Sequence, residues 1–487
     1  MCSIVGLQGK FKGNDLIKLL KDTKNRGPDS TGMLLDDELF LDIDLDDCND
    51  GEYSLGLGQN LLSIFNLGEA ESNYQPITNG KLTLVFNGEI YNFKSLANFI
   101  RKVHLDEEIT TDSYLILRII EYYYSKESDL LESVKNTLKL LDGDYSFAVW
   151  DGENLAIGRD PLGVKPMFYA ISDELNGFSS SKYALKQLNF ENIETLKPGH
   201  ILYNWTSTAA LDNIAQKQIP IIGDISKQLE TKLKLAVLKR VLYLDEVSVI
   251  FSGGVDSTLL TLLLKEIAKN KPLKIKLYSV GGENSKDVIA SKKLAELLDL
   301  PLKIQPITKE IVKENLETVV KLIGENNLMK IGVGMTIYLA CKMIHEDSGK
   351  VAISGQGADE LFAGYNRYLK SYESGKLDEE LRHDIENMYH VNLERDDAVS
   401  MANGVELRLP FLDKNLVEFA LNIPVEYKIS NKEDKIRKNI LRDLASELGL
   451  PDEFAYRAKK AAQYGTGIDK ILRKKVLKEV EINNYLK

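Results

Sequence analysis

Over the first 205 residues the hydrophobic positions fall into short alternating or continuous apolar runs, such as Cys2–Leu7, Leu82–Phe86, Tyr145–Trp150 and Leu155–Gly158. Gly, Asn and Asp punctuate them, and runs of this length between turn residues predict β-strands, with a helix over Asp112–Tyr124 among them. Periodicity weakens over Asn204–Gly223, which ends in Ile219-Pro220-Ile221-Ile222-Gly223. A linker over 206–225 is therefore expected to close a β-rich domain spanning 1–205. A helix follows over Ile225–Tyr243, and the pattern then becomes strand, glycine turn, helix: Glu246–Phe251, Ser252-Gly253-Gly254, Thr258–Lys269. Further strands over Leu273–Val280 and Val351–Ser354, an amphipathic segment at Lys286–Leu298 and helical sequence from about Asp378 complete a second domain, 226–487. Strands alternating with helices predict a parallel sheet covered on both faces, so the fold class is α+β followed by α/β. No internal repeat is seen.

The length of 487 residues allows two or three domains, and 44% hydrophobic with 28% charged residues excludes disordered and collagen-like classes. Three cysteines (Cys2, Cys48, Cys341) cannot build a disulfide framework, and no run of 18 apolar residues occurs. A cytoplasmic protein with no membrane partner is expected. The net charge of −11 is uneven: residues 1–210 hold 19 basic and 32 acidic residues (−13), leaving 43 and 41 (+2) for the rest. An acidic half argues against nucleic acid as a partner. Asp42-Ile43-Asp44-Leu45-Asp46 begins like a calcium loop, but Asp47 stands where such a loop has Gly and Tyr53 where it has Glu, so a solvated loop is expected.

Two constellations carry chemistry. Cys2 directly follows Met1, and removal of Met1 would leave a thiol beside its own α-amine, a nucleophile with a built-in base. The five histidines stand in no catalytic motif. Arg26-Gly27-Pro28-Asp29 reads as a turn bearing both charges. In Phe86-Asn87-Gly88-Glu89-Ile90-Tyr91-Asn92, the Asn87 amide and the Gly88 N–H can donate to a tetrahedral oxyanion, while Glu89 can bind an ammonium. Farther on, Ser252-Gly253-Gly254-Val255-Asp256-Ser257 lies between a strand and a helix. Its glycines permit a turn that aims backbone N–H groups and a helix N-terminus at an anion, with Ser252 and Ser257 as further donors. An Asp in an anion cradle calls for a metal.

The first set, with Arg159-Asp160-Pro161-Leu162-Gly163-Val164-Lys165-Pro166 and Pro198-Gly199-His200, resembles the glutaminase domain of class II glutamine amidotransferases, an N-terminal-nucleophile hydrolase αββα sandwich. The resemblance implies that Cys2 attacks the glutamine amide, that Asn87 and Gly88 form the oxyanion hole, and that Glu89 and Asp112 hold the α-amino group. Where the family carries an arginine for the α-carboxylate this chain has Leu61, and Arg26 is the nearest replacement.

The second set resembles the loop of ATP pyrophosphatases. With Ser279-Val280-Gly281, Ser354–Tyr365 and Met401–Asp413, it is similar to the synthetase domain of glutamine-dependent asparagine synthetases. The resemblance implies ATP and Mg²⁺, with Asp256 and Asp359 on the metal and Ser252, Gly253, Gly254, Asp256, Ser257, Val280, Ser354 and Gly355 around the nucleotide. Lys459, in Tyr456–Gly465, is the implied catalytic lysine, with Lys460 as fallback, and Gln356 stands where bacterial members have Glu, keeping the reach and losing the charge. Expected substrates are glutamine, aspartate and ATP, and a homodimer is allowed. The rivals are an amidotransferase or cyclase acting on another carboxylate, disfavoured by Cys2, and a non-catalytic regulatory relative, supported by Leu61 and Gln356 but opposed by intact Cys2, Asp256, Asp359 and Lys459.

Overall fold

The run that begins at Cys2 becomes the central strand of a sheet, because its neighbours alternate cleanly between two apolar faces. A computed structural model describes residues 2–46, 49–64, 74–103, 108–283, 285–458 and 465–486. The chain divides into two compact units, Met1–Asn213 and Ile214–Lys487. The strands of the first unit are, in chain order, β1 (Ser3–Lys12), β2 (Ser30–Leu35), β3 (Glu38–Phe40), β4 (Glu52–Leu61), β5 (Ile77–Thr78), β6 (Thr83–Ile90), β7 (Gly143–Trp150), β8 (Leu155–Arg159), β9 (Phe168–Ala170), β10 (Leu175–Ser179), β11 (Ile193–Thr195), β12 (His200–Tyr203) and β13 (Thr206–Ala209). They form a seven-stranded sheet ordered β11-β9-β10-β1-β4-β2-β3 and a six-stranded sheet ordered β13-β12-β8-β7-β6-β5, with antiparallel pairings.

Successive residues of one strand point to opposite faces. Ile4 and Leu57 of the first sheet therefore pack with Val85 and Ile157 of the second in an inner core. Val5 and Leu7 face outward onto the helix Gly13–Asp22. Leu84 and Phe86 face the opposite way, onto the helices Phe93–Val103, Asp112–Glu127 and Leu130–Leu140. The result is the expected αββα sandwich.

The structure departs from the sequence reading at 206–209, which form β13, paired with β12, where a linker was expected. Asn204 and Trp205, at φ 43° and 66°, make a two-residue turn whose left-handed backbone matches a hairpin. The short polar strand that follows, Thr-Ser-Thr-Ala, carries too little apolar periodicity to announce itself.

In the second unit five parallel strands, β14 (Glu246–Ile250), β15 (Lys274–Gly281), β16 (Leu302–Pro306), β17 (Val351–Ile353) and β18 (Glu406–Arg408), are ordered β16-β15-β14-β17-β18. The chain winds one way from β14 to β16 and then returns to the other side of β14. The strand order thus reverses between β14 and β17, where open α/β sheets bind ligands beyond the carboxyl ends of their strands. The turn Ser252–Gly254, after β14, and the stretch Ser354–Gly357, after β17, leave the sheet there. No helix among the described residues is long and apolar enough to cross a membrane.

Candidate active sites

In the first unit Cys2 stands at the head of β1, buried. Its backbone nitrogen donates to Asn87 Oδ1 at 3.1 Å, joining the start of β1 in one sheet to β6 of the other. Asn87 is fully buried, and with Oδ1 engaged its Nδ2 is left without a hydrogen-bond partner among the described residues. An unpaired buried amide donor on a residue bound to the Cys2 backbone is what a developing oxyanion would satisfy. Gly88 follows, opposite Tyr145 of β7. A Cβ there would meet the Asp144 carbonyl oxygen and lie 2.7 Å from Tyr145 Cα, both backbone atoms that cannot swing aside. Gly88→Ala must push β6 from β7, and urea denaturation is expected to show a loss of roughly 1–3 kcal/mol in this unit.

Glu89 and Asp112 are both buried nearby. Asp112 opens its helix and accepts the Ile90 N–H at 2.8 Å, tying the helix to the residue after Glu89. Arg26 ends the short helical turn Lys24–Arg26. The turn that follows it is clamped onto the end of β4: Asp29 N–H donates to the Leu61 carbonyl at 2.9 Å, and Asp29 Oδ2 accepts from Ser63 N–H at 2.7 Å. Gly27 lies so close that a Cβ would be 2.6 Å from Leu61 N. The Arg26 turn and the Leu61 position are thus one local structure.

The Arg159–Pro166 motif has a structural use. Arg159, fully buried, donates to the carbonyls of Lys165 (2.8 Å), Gly163 (2.9 Å) and Leu196, wrapping its own loop. Asp160 accepts the N–H groups of Leu162, Val164 and Lys165 at 3.0–3.1 Å. Burial, aided by the charge of Asp144, pushes its carboxyl up to about 6 against Arg159 and these donors.

In the second unit Ser252–Gly254 turn from β14 into the helix Val255–Ala268. Gly253 has φ +64°, and a Cβ would stand 2.8 Å from Ser291 N, so only glycine fits. The hydroxyls of Ser252 and Ser257 lie 3.4 Å apart across the turn. After β17, the turn Ser354–Gly357 leads into Ala358–Leu361, and Gly355 comes so near that its missing Cβ would be 3.1 Å from Asp256 Cβ. The two loops share a cavity of about 480 Å³ lined by Ser252, Gly254, Asp256, Ser257, Val280, Ser354, Gly355, Gln356 and Asp359. Arg457 and Ala458 line it too, and Arg457 donates to the Gly253 carbonyl at 3.0 Å. Lys459 and Lys460 lie outside the described residues, as do Met1 and Cys48.

The residue sequence reasoning missed is Lys438. Its ammonium, almost fully buried, is 2.8 Å from both carboxylate oxygens of Asp256 and 2.7 Å from Asp359 Oδ1. Arg437 and Lys438 both hold left-handed backbone, at φ 56° and 55°, which costs energy in residues with a side chain. Asp434 supports that loop by accepting the N–H groups of Ile436 and Arg437 at 2.8 Å, and Arg442 donates to the carbonyls of Ile436 and Arg437 at 3.0 and 2.6 Å. Gly364 leaves the room: a Cβ there would overlap Asp359 Oδ1 and Lys438 Cε. Beside Asp359, Glu360 accepts from Tyr365 Oη at 2.7 Å and Asn392 Nδ2 at 3.0 Å. Its carboxyl is pushed up by burial and by the charge of Asp359.

Asp256 and Asp359 turn hard oxygen donors toward one place that the Lys438 ammonium contacts, and by their chemistry the two carboxylates fit Mg²⁺. No group of three or more His, Cys, Asp or Glu that could hold a metal occurs among the described residues.

A family model described as "Asparagine synthase" matches residues 228–376 and 370–482, and one described as "Glutamine amidotransferase domain" matches residues 1–210. The chain is 39% identical to the Methanocaldococcus jannaschii protein named "Putative asparagine synthetase (glutamine-hydrolyzing) 1", over 100% of this chain and 98% of that one. It is 29% identical to the asparagine synthetase (glutamine-hydrolyzing) of Homo sapiens, over 80% of this chain and 74% of the human one. Among solved structures, the glutamine phosphoribosylpyrophosphate amidotransferase of B. subtilis, complexed with ADP and GMP, covers 62% of this chain and 65% of its own at 15% identity and a TM-score of 0.38.

Proposed function

The chain belongs to the glutamine-hydrolysing asparagine synthetase family, and from that premise we propose that it makes L-asparagine from L-aspartate, ATP and glutamine-derived ammonia, releasing AMP and pyrophosphate. The observation that carries the reading is the pairing, on one chain, of Cys2 bound to Asn87 with two glycine loops converging on one cavity at a strand-order reversal.

In the first unit the Cys2 thiolate attacks the glutamine carboxamide, and the freed α-amine takes and returns the proton once Met1 has been removed. Asn87 Nδ2 and the Gly88 N–H receive the oxyanion, Glu89 and Asp112 the substrate ammonium, and the Arg26 turn the α-carboxylate in place of an arginine at Leu61. Ammonia leaves, and water releases glutamate from the thioester. Free ammonia in neutral water is mostly protonated and poorly nucleophilic, so its use by the second unit favours internal transfer.

In the second unit the turn residues Ser252, Gly253 and Gly254, with Ser257 in the first turn of the helix, hold the leaving pyrophosphate, with Val280, Ser354 and Gly355 around the nucleotide. Asp256 and Asp359 would hold Mg²⁺, which neutralises phosphate charge when bound. The aspartate β-carboxylate attacks the α-phosphorus, pyrophosphate leaves, and ammonia displaces AMP from the acyl-adenylate. Lys459 is assigned to the charge that builds on the phosphate oxygens, and Gln356 lies on the same cavity wall.

The assay combines protein, Mg²⁺-ATP and aspartate with either glutamine or ammonium, quantifying asparagine, AMP and pyrophosphate. Equal amounts of the three are expected with both donors. No AMP from aspartate with either donor would overturn the reading.

A further inference from the structure

We infer that Asp396 is a positioning residue of the second unit's cavity, fixing the orientation of the Gln356 carboxamide and carrying, behind the wall, the negative charge that Gln356 itself does not bear. The inference rests on the proposed function only for what the cavity does. Asp396 is 1% exposed and takes no part in lining the cavity, yet the two side chains it binds, Gln356 and Arg395, both line it. Gln356 Nε2 donates to Asp396 Oδ2 at 3.1 Å, and Arg395 Nε donates to Asp396 Oδ1 at 2.7 Å.

A carboxylate only accepts hydrogen bonds, so the amide has one orientation available: Nε2 toward Asp396 and Oε1 toward the Ser354 hydroxyl, which donates to it. The chain of donors and acceptors from Ser354 through Gln356 to Asp396 and Arg395 is complete in one sense only. The Asp396 charge is felt by a second buried group as well. Cys341, fully buried, has its thiol pushed up first by burial and then by that charge. Gln356→Glu alone would set two acceptor-only carboxylates against each other in a buried place, which two ionised groups do not tolerate. Combining Gln356→Glu with Asp396→Asn reverses the pair and closes the same network. The new asparagine amide would donate to the new glutamate, its oxygen would accept from Arg395, and Ser354 would still donate.

The test is a double-mutant cycle of Gln356→Glu, Asp396→Asn and both together, read by AMP formation from aspartate with ammonium as donor, kcat and KM apart, and by thermal midpoint. Gln356→Glu should lower kcat and the midpoint together. Asp396→Asn lets the amide of Gln356 flip, so kcat should fall at least about tenfold with a smaller change in midpoint. The double variant should recover both to near the parent. Additive losses, or a double variant no better than the worse single one, would overturn the inference. If Gln356→Glu does not fold, recovery of folded protein on adding Asp396→Asn counts in favour and continued misfolding against. Should the parent form no AMP with aspartate, the proposed function fails while the midpoint cycle still decides the coupling.

Discussion

Cys2→Ala is expected to abolish asparagine formation from glutamine, by on the order of 10⁴-fold or more, while leaving formation from ammonium within about twofold of the parent. The size follows from the absence of a substitute. In the proposed mechanism, loss of the thiol leaves a carbonyl held by Asn87 Nδ2 and the Gly88 N–H with nothing to attack it. The selectivity follows from the division of the chain, since Cys2 belongs to Met1–Asn213 and the cavity proposed for adenylation to Ile214–Lys487. Parallel assays of glutamate and AMP release decide it. Equal loss with both nitrogen donors would mean that the two chemistries are not housed separately.

Lys438→Met should be the most damaging single change in the second unit. It leaves Asp256 and Asp359 facing each other across a place from which the buried ammonium that contacts both has gone. Breaking a buried ion pair on one side costs about 3–5 kcal/mol, and the partial exposure of the acids places the expected loss toward the lower end. Methionine retains the length and most of the volume of the stem, so the effect is one of charge. AMP formation should fall on the order of 10²-fold, the equivalent of about 2.7 kcal/mol in the barrier. Millimolar Mg²⁺ should restore part of the lost thermal stability of the variant, because a divalent ion can satisfy the same two carboxylates. An unchanged unfolding midpoint would show that the triad contributes nothing.

Much of the two sites was legible because their signals are local. A loop that must turn through positive φ needs glycine at Gly253, and a strand position packed against the backbone of β7 needs glycine at Gly88, so both wrote themselves into a few contiguous residues. The αββα layering was legible for a similar reason: alternation along β1 and β6 assigns each side chain a face before any partner is known. β13 escaped because a four-residue polar hairpin strand has no apolar face to betray it. The Arg159–Asp160 motif was legible as a pattern, but its use in tying its own loop is visible only from the hydrogen bonds.

Lys438 had no such signal. It lies 182 residues from Asp256, in a basic stretch that reads as a solvated surface, and becomes buried only because Asp434 and Arg442 hold its loop and Gly364 leaves it space. Asp396 was equally silent, 40 residues from the Gln356 whose orientation it sets.

The sequence by itself determined which backbone shapes were possible and which reactive groups were available: a thiol beside the initiator methionine, glycine turns at strand ends, and two acids next to them. The tertiary structure decided which charges face one another. Backbone conformation is set by neighbours along the chain, whereas the pairing of Lys438 with Asp256 and Asp359, or of Gln356 with Asp396, depends on how distant segments pack and on how strongly burial magnifies an unpaired charge.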